Sequence, residues 1–213
     1  MRVDIWSDLV CPWCYIGKRR FETALSSFPH SGGITVVHRA FQLDPTMPKG
    51  QLFRHRDVLK RKYGMTEEQV AASQQRLEHL AAEEGLEYHL ADAHTGNTLD
   101  AHRLVHLAGE QGNQDAVIER LYRAHFTEGR SLFGDESLTA LAEEAGLSGV
   151  GELLESDRFA ADVKADHQQA NALGANGVPF FVIDNRFGVS GAQASGVFID
   201  ALTRAWEQSR QPQ

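Results

Sequence analysis

The sequence predicts an α/β protein in which a β–α–β segment and a β–β–α segment flank a large all-helical insertion. Three observations carry that expectation. Short β-patterned runs lie near both ends of the chain. An amphipathic helix directly follows a Cys-Pro-Trp-Cys motif. Only helical periodicity fills the stretch from about Pro45 to Leu173.

Taken in order, Val3 and Ile5 alternate with Asp4 and end at Trp6, the pattern of a short strand. Pro12 suits the first turn of a helix, where its missing N–H costs nothing. Phe21, Ala24, Leu25 and Phe28 fall at i, i+3, i+4 and i+7, and Pro29 with Gly32 and Gly33 stops the helix. Residues 34–41, rich in β-branched side chains, form the second strand. Leu77, Leu80 and Ala81 then line a helix closed by Gly85. Asn97 stands as the N-cap of a helix carrying Ala101, Leu104, Val105 and Ala108 on one face. Val117, Ile118, Leu121, Tyr122 and Phe126 stripe the next helix, and Leu138, Leu141 and Ala142 the one after it. A last stripe from Phe159 runs to Gly174.

Strand signals return at Pro179, which opens the apolar run 180–183. Asp184 and Asn185 predict a two-residue hairpin turn before Phe187 and Val189, with Gly188 as a candidate bulge. Val197, Phe198, Ala201, Leu202 and Ala205 make a closing helix capped by Ser190 or Ser195, and the polar tail from Ser209 onward is expected to fray. Residues 1–48 and 157–213 are therefore expected to form a discontinuous α/β domain, and 49–156 an inserted helical domain.

The 213 residues carry 42% hydrophobic and 23% charged side chains, enough for a core without disulfide staples. A formal charge of −8, with no basic stripe, argues against nucleic acid as a partner. No apolar run reaches the roughly 18 residues a membrane span needs. No apolar signal core precedes the cysteine motif, so a cytoplasmic location is expected.

There are two cysteines, Cys11 and Cys14, at a spacing random placement would give about one time in a hundred. Two cysteines in a cytoplasmic protein are not a structural framework. The thiolate is the species that attacks a disulfide, and a free thiol near pKa 8.5 is mostly protonated at neutral pH. Cys11, just before Pro12, sits at the predicted helix start, where unpaired N–H groups and the macrodipole favour an anion. Cys14 lies one turn in, within reach of a mixed disulfide on Cys11. A zinc site would need histidines to complete it. His102 and His106 have i, i+4 ligand spacing, but with ten histidines in the chain they are expected as surface or interlobe residues. No metal is expected.

Several motifs together resemble the DsbA family, most closely its FrnE-like branch. They are 7–14 (Ser-Asp-Leu-Val-Cys-Pro-Trp-Cys), 41–45 (Phe-Gln-Leu-Asp-Pro), Asn97-Thr98 with 101–104 (Ala-His-Arg-Leu), 177–181 (Gly-Val-Pro-Phe-Phe) and 190–193 (Ser-Gly-Ala-Gln). They span nearly the whole chain in order. The resemblance implies a thioredoxin fold with a helical insert and a cis Pro179 beside Cys11. It also implies a Val178 backbone able to hydrogen-bond an extended substrate segment.

Cys11 and Cys14 are thus the candidate catalytic pair, and Pro12, Trp13, Val178, Pro179 and Asn97 the candidate substrate-binding residues. Trp13 has packing as its alternative role, and Asn97 has helix capping. The function so implied is exchange with protein or small-molecule thiols and disulfides, by a monomer or homodimer. No metal or organic cofactor is needed, although glutathione or another small thiol could be a co-substrate. The alternative is a glutathione-dependent isomerase or transferase, resembling 2-hydroxychromene-2-carboxylate isomerases and kappa-class glutathione transferases. Those relatives typically carry serine where Cys11 stands. A third reading is a chaperone or binding module without chemistry.

Overall fold

In a computed structural model, which describes residues 1–210, the chain runs β1 (Arg2–Ser7), α1 (Pro12–Ser27), β2 (Thr35–Ala40), β3 (Phe53–Arg54), α2 (His55–Tyr63), α3 (Glu67–Glu83), β4 (His94–Thr95), α4 (Leu99–Glu110), α5 (Gln114–Phe126), α6 (Asp135–Glu144), α7 (Val150–Leu154), α8 (Ala160–Ala172), β5 (Phe180–Ile183), β6 (Phe187–Ser190) and α9 (Ser195–Ser209). Residues 211–213 of the polar tail lie outside the described residues. The chain divides into two compact units, Met1–Leu43 with the chain from Val163 onward, and Asp44–Asp162. The sequence pattern puts these junctions at 48/49 and 156/157. Segment 44–48 is held within the second unit, where Lys62 pairs with Asp44 at 3.2 Å and the Asn97 amide donates to the Met47 carbonyl.

In the first unit the sheet order is β2-β1-β5-β6, with β1 parallel to β2 and antiparallel to β5. The period-2 alternation of the strands sorts the side chains between two layers. Val3, Ile5, Phe181 and Ile183 join Phe21 of α1, Phe28 just after it, and Phe198 and Leu202 of α9 in one core. Phe21, Phe181 and Phe198 meet at centroid separations of 4.6–5.6 Å. Trp6, Phe180 and Val182, pointing the other way, pack with Phe41, Ala170 and Ala175. Both faces being covered explains why residues 180–183 are apolar without a break.

The edge strand β2 is tied to α8 by charge. Asp166 accepts the Ala40 N–H at 3.0 Å and an Arg39 N–H at 3.1 Å, while Arg39 also donates to Asp4.

Three local expectations are corrected. The β5–β6 connection has three residues, not two. Arg186 N donates to Ile183 O across Asp184 and Asn185, which take φ of 52° and 54°, and the register closes at Ile183 opposite Phe187. Gly188 is no bulge. It pairs in register with Val182, and a Cβ there would stand 3.4 Å from the Phe180 ring. Neither Ser190 nor Ser195 caps α9, whose N-cap is Ala194.

The second unit is helical apart from the two-residue pairing of β3 with β4, too short to show a period in the sequence. Its most constrained polar side chain is Arg103 on α4, which is 2% exposed. Its guanidinium donates to the carbonyls of Arg158 at 2.7 Å, Leu153 and Ser156, and to Asp100 at 2.7 Å. It thereby fixes the turn after α7 that leads into Phe159, a non-glycine residue at φ 65°. Removing a buried donor leaves its acceptors unpaired. Arg103→Met is therefore expected to lower unfolding free energy by about 2–4 kcal/mol in urea titrations, with Arg103→Lys recovering little of it. A loss below about 0.5 kcal/mol, the range of an ordinary surface change, would contradict that role.

Candidate active site

The cysteine motif sits where β1 hands the chain to α1. Ser7 ends the strand, its carbonyl accepting the Phe41 N–H. Asp8 then makes the turn, its carbonyl accepting the Cys11 N–H at 3.1 Å. Its carboxylate accepts the Leu43 N–H at 2.7 Å. Cys11 is the N-cap of α1 in extended geometry (φ −89°, ψ 112°), and Pro12 occupies the first helical position. As N-cap, Cys11 stands at the positive end of α1, and its side chain makes no capping hydrogen bond.

Both cysteines are unbridged and buried, Cys11 5% and Cys14 2% exposed. Trp13, between them in sequence, is 38% exposed, so it is not buried in the core. Burial pushes the Cys14 thiol well above the ordinary thiol range. Its hydrogen bond to Cys11 and the charges of Cys11 and Asp8 push the same way, against a backbone hydrogen bond from Asp8. The two sulfurs therefore occupy unequal sites. One stands at the N-terminal end of α1; the other is held as a thiol within the helix's first turn.

Because folding raises the Cys14 pKa, the native state holds this proton more tightly than the unfolded chain. Its stabilisation is complete below the unfolded value of about 8.5 and is lost as pH rises through the folded one. The urea midpoint of the reduced protein is expected to fall above pH about 8.5 more steeply than that of Cys14→Ala. Parallel curves would contradict it.

The second wall comes from the far end of the sequence. The Val178–Pro179 peptide is cis, and the Cys11 thiol donates to the Val178 carbonyl at 3.7 Å. Thus Cys11, Cys14, Pro12, Val178 and Pro179 are brought to one end of the sheet. Asn97 belongs to the other unit. It stands one residue before the α4 N-cap, Thr98, rather than at it, and its Oδ1 accepts the Leu99 N–H at 2.9 Å. With Lys49, Asp100 and Asp135 it lines a cavity of about 350 Å³ in that unit.

His102 is buried within α4, not on the surface, and His106 stacks on Phe159 at 5.6 Å. Among the described residues no group of three or more His, Cys, Asp or Glu side chains is placed to hold a metal ion.

Asp8 escaped the sequence reading as a chemical residue. Its signal was an acid three positions before the first cysteine, followed by the apolar pair Leu9 and Val10.

Comparison with known proteins agrees with this architecture. The family model described as "DSBA-like thioredoxin domain" matches residues 2–203. The crystal structure of a probable DsbA oxidoreductase from Streptomyces coelicolor is 49% identical, with a TM-score of 0.96, covering 100% of this chain and 92% of that one. Two more distant structures share the fold. A 2-hydroxychromene-2-carboxylate isomerase has 16% identity and a TM-score of 0.72, covering 98% of both chains. The cytosolic disulfide reductase DsbM from Pseudomonas aeruginosa, solved with GSH, has 18% identity and a TM-score of 0.64, covering 99% of this chain and all of that one.

Proposed function

The chain belongs to the DSBA-like thioredoxin domain family, and from that premise we propose that it is an enzyme catalysing thiol–disulfide exchange, with Cys11 as the attacking sulfur and Cys14 as the resolving one. The observation that carries this reading is the position of Cys11: N-cap of α1, hydrogen-bonded to Cys14 behind it and to the Val178 carbonyl beside it.

In the reductive direction the Cys11 thiolate attacks one sulfur of a substrate disulfide. The S–S bond breaks, and the departing substrate thiolate takes a proton from solvent. Cys14 then gives up its proton and attacks the Cys11 sulfur of the mixed disulfide. The second substrate thiol leaves, and a Cys11–Cys14 disulfide forms. Two electrons pass to the substrate, and two equivalents of a small thiol such as glutathione, or one dithiol, return them. Run backwards, the same steps oxidise a dithiol. The cycle uses no metal or organic cofactor.

The Asp8 carboxylate charge disfavours the Cys14 anion and so adds to the burial that holds the Cys14 proton in place. Burial of Cys14 keeps it protonated until Cys11 is occupied, which prevents two anions from sharing the site. Trp13, Val178 and Pro179 border the substrate, and the Val178 backbone offers hydrogen bonds to an extended segment.

The reductive direction and a cytoplasmic location draw support from the DsbM neighbour, whose own description is a cytosolic disulfide reductase solved with GSH. No helix is long and apolar enough to cross a membrane among the described residues.

Insulin reduction with glutathione or dithiothreitol as the electron source tests the proposal. Catalysed precipitation of insulin chains is the expected result. A rate equal to the enzyme-free control with both reductants would overturn it.

A further inference from the structure

Two influences meet at the Cys11 sulfur, and they oppose each other. The N-terminal end of α1 favours the anion. The Val178 carbonyl, at 3.7 Å, accepts a hydrogen bond that the thiol can donate and the thiolate cannot. How well the sulfur keeps its proton therefore depends on how closely that carbonyl is held. Within the first unit, α1 adds Cys14, which shares a hydrogen bond with Cys11, and the turn before it adds Asp8, whose charge acts on Cys14. Neither Val178 nor Pro179 has a titratable side chain, so the leverage of that segment on Cys11 is the position of one carbonyl.

That position is set from α1 at two points. Gly17 lies in the buried second turn of the helix, where glycine is weaker than alanine. Its φ is not positive, so the backbone does not demand glycine there. Proximity does. A Cβ at position 17 would stand 2.8 Å from Pro179 Cγ and 3.4 Å from both Ala192 Cα and Ala192 Cβ. Pro179 Cγ belongs to a closed ring and cannot swing aside like the end of a long side chain. One turn on, Arg20 Nη1 donates to the Ala192 carbonyl at 2.8 Å. Gly191, beside Ala192, donates its N–H to the Pro179 carbonyl at 2.8 Å. The helix that carries Cys11 is thus packed against Pro179 through Gly17 and tied to the neighbouring loop through Arg20.

We propose that Gly17 and Arg20 are positioning residues that keep the Val178 carbonyl on the Cys11 sulfur, and that this clamp restrains the reactivity of the thiol against the pull of the helix. The inference rests on the exchange reading above for the identity of the attacking sulfur, and it adds a restraint that acts before any substrate arrives. Displacing the loop by a few tenths of an ångström weakens the S–H···O contact and leaves the N-terminal end of α1 where it is. More of Cys11 then stands as thiolate. Loosening the clamp speeds Cys11 at acid pH, the reverse of what damage to an active site ordinarily does.

Alkylation of the reduced protein by iodoacetamide, followed by peptide mass spectrometry, reads Cys11 apart from Cys14. The Cys11 thiolate displaces iodide, and the thiol proton passes to the buffer. At about pH 6, Arg20→Met and Gly17→Ala are each expected to alkylate at Cys11 about threefold faster than wild type. Arg20→Lys, which keeps a donor, falls between. Above the inflection of the wild-type profile, where the thiol is ionised in every variant, the rates converge to within about 1.5-fold. In a Pro179→Ala background, where Cγ is gone, Gly17→Ala adds less than about 1.5-fold at the acid end.

Unchanged or slower alkylation at the acid end, in variants with wild-type far-UV circular dichroism, would overturn the proposal. So would a gain that persists at high pH, which would mean an uncovered sulfur and not a released proton. An undiminished effect of Gly17→Ala in the Pro179→Ala background would overturn it too. If Gly17→Ala does not fold, the Arg20→Met and Arg20→Lys pair decides on the same rates. A protein that shows these rates but reduces insulin no faster than the enzyme-free control loses the exchange reading and keeps the clamp. One that reduces insulin without showing these rates loses only this inference.

Discussion

Cys11→Ser is expected to reduce insulin at the enzyme-free rate, a loss of at least about a hundredfold where the background permits the measurement. The size of the effect follows from the chemistry. A serine hydroxyl is poorly ionised at neutral pH, and its oxygen cannot form the mixed disulfide on which every later step depends. The substitution exchanges one buried, near-isosteric atom at an N-cap position, where serine is itself favoured, so α1 should remain intact. Far-UV circular dichroism and the urea midpoint should therefore stay close to wild type while turnover vanishes. Retained turnover would move the chemistry away from position 11.

Cys14→Ser is expected to separate the two halves of the cycle. The first attack still occurs, within about tenfold of the wild-type rate, because Cys11 keeps its helix mouth. Resolution does not, so a mixed disulfide should accumulate toward one equivalent on Cys11 and turnover should fall to what external thiol can rescue. Mass spectrometry of acid-quenched samples reads the adduct directly. The same variant divides the exchange reading from a glutathione-dependent isomerase or transferase, which needs no intramolecular disulfide and would turn over unimpaired.

Much of this architecture was legible in the sequence because it rests on local periodicity. Val3 and Ile5 pack with the i, i+3, i+4, i+7 set from Phe21 to Phe28 in one core of the first unit, and Trp6 packs in the other. The position of Cys11 at the start of α1 followed from Pro12 together with the stripe from Phe21 to Phe28. The failures occur where a residue's meaning lies in a partner far along the chain. Gly17 lies outside the apolar stripe that marks the helix, and its close approach to Pro179 and Ala192 shows only in the fold. Gly188 reads as a bulge until the Phe180 ring fills the space beside it. Asp8 looks like a loop acid, and only the return of the chain at Leu43 and the nearness of Cys14 reveal what its carboxylate does. Asn97 missed its cap by one position, because the first intrahelical bond, from the His102 N–H, is accepted by the Thr98 carbonyl.

Equilibration against a graded glutathione redox buffer, with acid quench and mass analysis at each point, interrogates the cysteine pair most directly. A single reversible two-electron transition, from two free thiols to a Cys11–Cys14 disulfide two mass units lighter, is the expected result. Two thiols unchanged across the whole range, or a glutathione adduct that never gives way to the intramolecular bond, would contradict it.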